Sequence, residues 1–154
     1  METNSSLPTR GGCIEGLKVL TGNVRSLRGK LDELAVKVDA SGPDIIALTE
    51  SWLTPEVQDS ECLLEGFNIF RADRKSGKIG GGVILYCRTY LNPIMISGMT
   101  NEDSSEEFLC CKIKHKEGSS LIGVVYRAPN SPGRFILEHM LKVAHNPHCL
   151  IVGL

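Results

Sequence analysis

The sequence predicts an α+β fold in which two sheets pack face to face and helices lie outside them. Segments with strand character outnumber those with helical spacing of apolar residues, and the two predicted helices lie between strands near the two ends of the chain. With 154 residues, 42% of them hydrophobic, the chain has the composition of one globular domain. We expect a flexible leader over residues 1–16, which are rich in Ser, Thr and Gly, and a domain over residues 17–154.

The first part of this domain predicts a strand, a helix and a second strand. Leu17–Asn23 has the composition of a short strand. Apolar residues then recur at helical spacing as far as Val38, with Ser26 as the predicted N-cap and Gly42 beginning the stop signal. Ile45–Leu48 is short and apolar, as a strand buried on both faces is.

The second part predicts further strands and one more helix. These strands fall at Phe67–Phe70, Val83–Cys87, Phe108–Ile113, Leu121–Tyr126 and Cys149–Val152. The helix opens at Ser131-Pro132, with Pro132 at the first helical position and Leu137, Leu141 and Ala144 on one face. The run Gly80–Gly82 lacks the Lys-Ser/Thr pair and the helix of a phosphate loop, so it predicts a turn that permits close strand approach.

Charge and targeting signals restrict the partners and the compartment. Lys and Arg total 17 against 18 acidic residues, so the net charge is −1 and no global positive field attracts a polyanion. Met1–Gly12 contains no apolar signal-peptide core, and no apolar run approaches the length of a membrane span. We therefore expect a nuclear or cytoplasmic protein, not a secreted one, with no membrane partner.

The cysteines predict reduced and mostly buried thiols, because several stand inside apolar runs of a chain that can form a core without disulfides. They are Cys13, Cys62, Cys87, Cys110, Cys111 and Cys149. A zinc site would need paired ligands at close spacing. The group His139, His145, His148 and Cys149 has no such pairing, so zinc is disfavoured.

Three predicted strands end in a polar residue that can take part in binding or catalysis, namely Asn23, Glu50 and Tyr126. If these strands share an orientation, the three side chains meet at one rim of the sheets, where binding sites often lie. A carboxylate, an amide and a phenol together can bind one hard cation and the oxygens of a phosphate. Polar residues also favour strand ends in general, so spacing alone leaves both interpretations open.

The amino-acid sequence around these residues resembles that of the endonuclease/exonuclease/phosphatase superfamily. The segments that carry the resemblance are Asn23–Leu27, Thr49–Leu53, Arg71–Arg74, Gly80–Val83, Val125–Asn130 and Leu150–Gly153, in this order. They are most similar to the apurinic-endonuclease-like domain at the N-terminus of LINE-type (non-LTR) retrotransposon polyproteins. The resemblance runs from about Leu17 to Gly153 and implies an incomplete four-layer α/β/β/α sandwich.

The same resemblance implies Mg²⁺-dependent hydrolysis of a DNA phosphodiester, with Mn²⁺ as a possible substitute. Glu50 is then the metal ligand, and Asn23 places the phosphate or the metal-bound groups. Tyr126 donates a hydrogen bond beside the phosphate, and Asn130 is a second amide there. Arg127 and Arg74 are candidate DNA contacts, although exposed arginines on a loop or turn are as often merely solvated.

The family's later motifs, Gly-Asp-Phe-Asn and an Asp-His pair, have no counterpart before Leu154. We therefore expect a fragment that is inactive as given, because residues acting as a unit are lost non-additively. If it derives from a truncated gene model, DNA and a reverse transcriptase domain in the same polyprotein are the expected partners. The alternative is a non-catalytic retroelement remnant. A third possibility is a phosphoinositide or sphingolipid substrate, which the amino-acid sequence around Glu50 and Tyr126 disfavours.

Overall fold

Two β-sheets and two helices make up the computed structural model of the protein. It describes residues 2–6, 16–74, 80–101, 106–116, 118–143, 145 and 148–153. In chain order the elements are β1 (Glu2–Ser6), β2 (Lys18–Asn23), α1 (Leu31–Ser41), β3 (Ile45–Thr49), β4 (Phe67–Ala72), β5 (Val83–Arg88), β6 (Ile94–Asn101), β7 (Glu106–His115), β8 (Gly118–Arg127), α2 (Arg134–Val143) and β9 (Cys149–Gly153). Short 3-10 turns lie at Asp59–Glu61 and Thr89–Leu91.

Each sheet is built from one continuous part of the chain. The first sheet has the strand order β1-β2-β3-β5-β4, and the second has the order β6-β7-β8-β9. The pair β2 and β3 is parallel, and so is the pair β8 and β9, with a helix between the two strands in each case. All other strand pairs are antiparallel. Both sheets are therefore mixed.

The sheets face each other, and each carries one helix on its outer side. Along β3 the side chains alternate between the two faces: Ile45 and Ala47 join the core between the sheets, whereas Ile46 and Leu48 join the core under α1. On the second sheet Phe108 and Cys110 pack against apolar residues of α2. This arrangement explains why β3 is buried at every position. The predicted α+β class and the four-layer α/β/β/α order are confirmed.

Two strands were not predicted. Glu2–Ser6 lies within the predicted leader 1–16 and pairs antiparallel with β2. Ile94–Asn101 forms β6 at the edge of the second sheet. Both are edge strands whose pairing depends on a distant partner, and local composition does not report such a partner. The remaining leader residues 7–15, with Cys13, lie outside the described residues.

The helices also differ from prediction at their starts and faces. Ser26 is not an N-cap: its φ is +82° and α1 begins at Leu31, although Gly42 ends that helix as predicted, with its N–H donating to the carbonyl of Val38 (2.8 Å). The second helix begins at Arg134 and not at Pro132. The predicted face with Leu137 and Leu141 is exposed (57% and 59%), and other residues of the helix face the sheet. Those are Ile136 and His139, with Phe135, Met140 and Val143 partly buried. Ala144 is outside the described residues.

The described cysteines agree with the sequence prediction. Cys62, Cys87, Cys110 and Cys111 are buried free thiols, and Cys149 is a partly buried one. Burial raises the pKa of Cys87 and of Cys110 to about 12, so these thiols act as apolar packing groups. Within the described part of the chain, no helix is long and apolar enough to cross a membrane.

Candidate active site

The ends of β2, β3 and β8 bring three of the predicted residues to one rim of the sandwich. Because β2 and β3 are parallel and in register, Asn23 pairs with Thr49, and Glu50 follows immediately. Asn23 is exposed, whereas the Glu50 side chain is 17% exposed. Tyr126, near the end of β8 in the other sheet, is 8% exposed. The structure therefore brings the ends of these strands to one rim, where the side chains of Glu50 and Tyr126 are in contact.

A hydrogen bond between Tyr126 and Glu50 joins the two sheets at this rim. The phenol of Tyr126 donates to Glu50 Oε1 at 2.5 Å. Burial, and then this contact with the carboxylate, raise the pKa of Tyr126 to about 12. The phenol therefore remains protonated at neutral pH and acts as a donor that fixes one carboxylate oxygen.

The segment after β2 holds Glu50 from its backbone. The N–H groups of Val24 and Ser26 donate to the carbonyls of Thr49 and Glu50, both at 3.0 Å. Glu50 itself has φ of +54°, a left-handed conformation that L-residues rarely adopt and that these bonds maintain. Arg25 in the same segment places Nε 3.9 Å from Glu50 Oε2 with a 78% exposed side chain. Arg25 lies in the motif Asn23–Leu27, but the sequence did not predict it as a site residue.

The glycine run supports the other side of the loop that carries Glu50. Ser51 and Trp52 donate their N–H groups to the carbonyls of Gly82 (3.2 Å) and Gly81 (3.0 Å). A Cβ on Gly81 would lie 2.2 Å from the guanidinium carbon of Arg74, and one on Gly82 would lie 2.5 Å from the Ser51 hydroxyl. The glycine run therefore leaves room for the side chains of Arg74 and Ser51 against its backbone.

Arg74 does not face solvent, so its predicted role as a DNA contact is wrong. It is 8% exposed, and its Nε donates to Glu107 Oε1 at 2.9 Å, where Glu107 is fully buried. Burial raises the pKa of Glu107, and Arg74 opposes this effect. The sequence predicted an exposed Arg74 because the stretch around it is basic. Its acidic partner lies 33 residues away, so the local sequence does not reveal the ion pair. Lys75 and Lys78 of that stretch lie outside the described residues.

The other two predicted residues are Arg127, which ends β8, and Asn130 in the turn that follows, and both are exposed. A second carboxylate missed in the sequence, Glu106, ties this turn to α2. It is fully buried, and its Oε1 accepts hydrogen bonds from the Ser131 hydroxyl and from Gly133 N (2.8 Å). Its Oε2 accepts one from Ile136 N at 2.9 Å. No local signal reveals this role, because Glu106 precedes the turn by a whole hairpin.

The oxygen donors at the rim suit a hard cation held by one carboxylate. Mg²⁺ keeps several waters and binds through one or two carboxylates together with substrate phosphates. Glu50 can supply one carboxylate, and Asn23 an exposed amide, at adjacent strand ends. Among the residues that the structure describes, no group of three or more His, Cys, Asp or Glu side chains could enclose a metal ion. Further ligands must come from water, substrate or residues beyond those described.

Comparison with solved structures identifies the architecture. The chain matches AP endonuclease LMAP from Leishmania major (TM-score 0.58, 20% identity, 80% of this chain and 44% of that one). It also matches the endonuclease domain of TRAS1, a telomere-specific non-LTR retrotransposon (0.60, 13%, 89% and 57%). A third match is the mannosyl-6-phosphatase Bt3783 from Bacteroides thetaiotaomicron (0.63, 16%, 90% and 64%). No protein-family model and no curated protein matches the sequence.

These matches cover nearly all of this chain but only about half to two thirds of each solved structure. At such identities the likeness establishes the arrangement of strands and helices, and leaves the reaction to be argued from the site. The neighbours include nucleases and a phosphatase. The chain therefore has the fold of the endonuclease/exonuclease/phosphatase superfamily, shared with AP endonucleases and a retrotransposon endonuclease domain.

Proposed function

We propose that this chain supplies the Asn23, Glu50 and Tyr126 part of the active site of a Mg²⁺-dependent DNA endonuclease of the non-LTR retrotransposon kind. In that role the enzyme nicks target DNA, and a reverse transcriptase in the same polyprotein extends the new end. The observation that carries the proposal is the hydrogen bond from Tyr126 to Glu50 across the two sheets (2.5 Å). It supports the proposal because it orients the Glu50 carboxylate at the rim where the strand carrying Asn23 also ends.

Each residue has a chemical task in phosphodiester hydrolysis. Glu50 would hold Mg²⁺, which when bound polarises the scissile phosphate as a Lewis acid. Tyr126 orients the Glu50 carboxylate and, as a neutral phenol, can donate to a phosphate oxygen. Asn23 and Asn130 offer amide N–H groups to the same phosphate, and Arg127 offers a cation to the DNA backbone. Arg74 is excluded from the DNA-binding set because it is buried against Glu107.

The described residues offer only part of such a site. Hydrolysis also requires a group that activates water and a group that assists the leaving oxygen. Glu106 and Glu107, the carboxylates on the neighbouring strand β7, are both fully buried and engaged in other bonds. We therefore propose that this chain binds metal and DNA but does not cleave DNA by itself, and that the complete active site includes residues beyond those described.

DNA is the proposed substrate in preference to a small phosphate ester or a lipid headgroup. The fold alone does not select a substrate, since the same architecture occurs in a mannosyl-6-phosphatase. Arg25 beside Glu50 and Arg127 at the end of β8 are both exposed, and separated cations suit the repeated phosphates of a polymer better than one isolated phosphate. The resemblance around Thr49–Leu53 and Val125–Asn130 favours the same choice.

Two measurements test the proposal. Mn²⁺ binding to the 154-residue chain, followed by electron paramagnetic resonance, is expected to weaken at least tenfold in Glu50→Gln. Nicking of supercoiled plasmid is then measured with the longest natural product that contains this chain. We expect Mg²⁺-dependent nicking that Glu50→Gln abolishes and that Tyr126→Phe lowers about 10²-fold.

A matched control is Glu56→Gln, which alters an exposed carboxylate in the same loop and is expected to change neither readout. Undiminished nicking by Glu50→Gln would show that Glu50 is not the metal ligand. If the product hydrolyses mannose 6-phosphate and leaves plasmid intact, the DNA assignment is wrong while the phosphoesterase assignment stands.

A further inference from the structure

We propose that Trp52 is a stacking platform for a nucleobase of the bound strand, beside the phosphate held at Glu50. This inference rests on the proposed function and adds a base-binding subsite to it. The site would then contact both the backbone and one base of its substrate. Aromatic side chains serve this purpose in proteins that bind single-stranded or unstacked nucleic acid, because every base offers a π face.

Trp52 remains in solvent although both of its chain neighbours are buried. Its exposure is 38%, whereas Ser51 is fully buried and Leu53 is 2% exposed. Two residues separate its Cα from that of Glu50 by at most about 7 Å. That distance corresponds to about two base steps along a DNA strand. A base next to a phosphate at Glu50 therefore falls within reach of the indole.

The loop holds Trp52 in place at a conformational cost. Its φ is +57°, a conformation that bulky L-residues rarely adopt. The backbone is fixed by the hydrogen bond from Trp52 N to the Gly81 carbonyl (3.0 Å), and the indole Nε1 lies against Gly80, 3.8 Å from the position of a Cβ there. A fully buried tryptophan would offset this backbone strain through packing. Trp52 is 38% exposed, so packing alone does not account for its strained conformation. The backbone that carries this half-open ring is therefore held by the loop before any base binds.

An exposed cation in the same part of the molecule fits a nucleic acid strand. The side chain of Arg25 is 78% exposed, and its Nε lies 3.9 Å from Glu50 Oε2. A phosphate next to the stacked base would run within reach of this cation. A sugar phosphate carries no base, whereas a strand offers a base to the ring together with a phosphate to the cation. The combination of ring and cation therefore fits a polynucleotide, and the comparison of base-bearing with base-free strands tests this choice.

Because Trp52 is the single tryptophan of the chain, its fluorescence reports on the proposed contact directly. The chain is titrated, in Mg²⁺-free buffer, with a labelled single-stranded oligodeoxynucleotide and with a strand of equal length whose residues lack bases. Fluorescence anisotropy of the label measures binding, and Trp52 emission measures stacking. We expect both strands to bind, the base-bearing strand more tightly, and only the base-bearing strand to quench the emission.

Substitutions separate the ring from the charges. Trp52→Ala is expected to weaken binding of the base-bearing strand about 5- to 150-fold and to leave the base-free strand unaffected. Trp52→Phe should retain most of the preference. The control is Tyr90→Ala, since Tyr90 is a 61% exposed aromatic beside Asp44, at the opposite end of β3 from Glu50. It should bind both strands as the unaltered chain does.

The outcomes distinguish this inference from the function on which it rests. If both strands bind equally and Trp52 emission does not change, the stacking role is wrong and DNA binding stands. If neither strand binds at any concentration tested, the proposed DNA function fails, and the stacking role fails with it. The fluorescence measurement needs no variant, so poor folding of Trp52→Ala would not prevent a decision.

Discussion

Replacing Arg74 by methionine removes the cation that faces Glu107 while keeping an unbranched side chain over Gly81. Arg74 is 8% exposed and Glu107 is fully buried, so the remaining carboxylate has neither water nor a counter-charge. Removing one partner of a buried ion pair typically costs about 3–5 kcal/mol of the free energy of unfolding. We expect Arg74→Met to fall in this range, which is a large share of the roughly 5–15 kcal/mol that a domain has.

Removing both charges should cost less than removing either one. Arg74 Nη2 is buried without a hydrogen-bond partner among the described residues, so the pair does not fully offset its own desolvation. We expect the double variant Arg74→Met/Glu107→Gln to lie within about 2 kcal/mol of the unaltered chain. The difference between this value and the sum of the single costs measures the coupling between the two side chains.

The Arg74→Met deficit should also depend on pH. Burial raises the pKa of Glu107 above its ordinary value of 4.5, with Arg74 opposing the shift. Without Arg74 the folded-state pKa rises further. A raised folded-state pKa stabilises the fold below the unfolded pKa, and this stabilisation disappears as pH rises through the folded value. Arg74→Met should therefore recover part of its lost stability as pH falls towards 4.5.

Urea unfolding followed by circular dichroism measures these free energies. The matched control is the exposed pair Arg134 and Glu138, whose side chains are 86% and 55% exposed. Arg134→Met should cost only about 0.3–0.5 kcal/mol. The reasoning is refuted if Arg74→Met costs less than about 1 kcal/mol, or if the two single costs add up in the double variant.

Three further predictions concern backbone approach, the turn after β8 and pH. Gly81→Ala should lower the free energy of unfolding by about 3 kcal/mol, because its Cβ would lie 2.2 Å from the guanidinium carbon of Arg74 at a φ of +70°. Gly16→Ala, which has a φ of +75° but open space around it, should lower it by only about 1–2 kcal/mol. Equal losses in urea unfolding would contradict this. Glu106→Gln should cost about 2–3 kcal/mol and lower Tm by roughly 4–12 °C, because donors from the turn and α2 lose their carboxylate; an unchanged Tm would refute it. Stability should fall from pH 9 upward, because the Cys87 and Cys110 thiols ionise at about 9.0 when unfolded but have a pKa of about 12 when folded; a Tm constant from pH 8 to 11 would contradict this.

The sequence predicted the residues at the rim better than it predicted the contacts that support them. Asn23, Glu50 and Tyr126 could be singled out because each ends an apolar run and stands in a motif, and both are local signals. Arg74 was misassigned because its neighbours in the sequence are basic, whereas its partner Glu107 comes from the other sheet. A local pattern cannot report which charge faces which across a sandwich.

The same limit explains the errors in secondary structure. In α2 the apolar residues occupy two adjacent stripes, and docking on the second sheet selected the one that contains Ile136 and Met140 over the one that contains Leu137 and Leu141. Ser26 looked like a helix cap, but hydrogen bonds to the loop around Glu50 keep residues 24–27 outside α1. Where tertiary contacts outweigh local preference, periodicity alone gives the wrong face or the wrong start.

The division of the chain into two sheets has a consequence for the order of folding. Residues 2–88 build one sheet and residues 94–153 the other, so most strand pairing is local within each half. Tyr126 and Glu50, 76 residues apart, meet only when the halves dock, which closes a long loop. The contact therefore requires both halves to be formed and docked, and loosening of either half would break it. Contact between Tyr126 and Glu50 would report assembly of the whole sandwich, in the test tube and during synthesis on the ribosome alike.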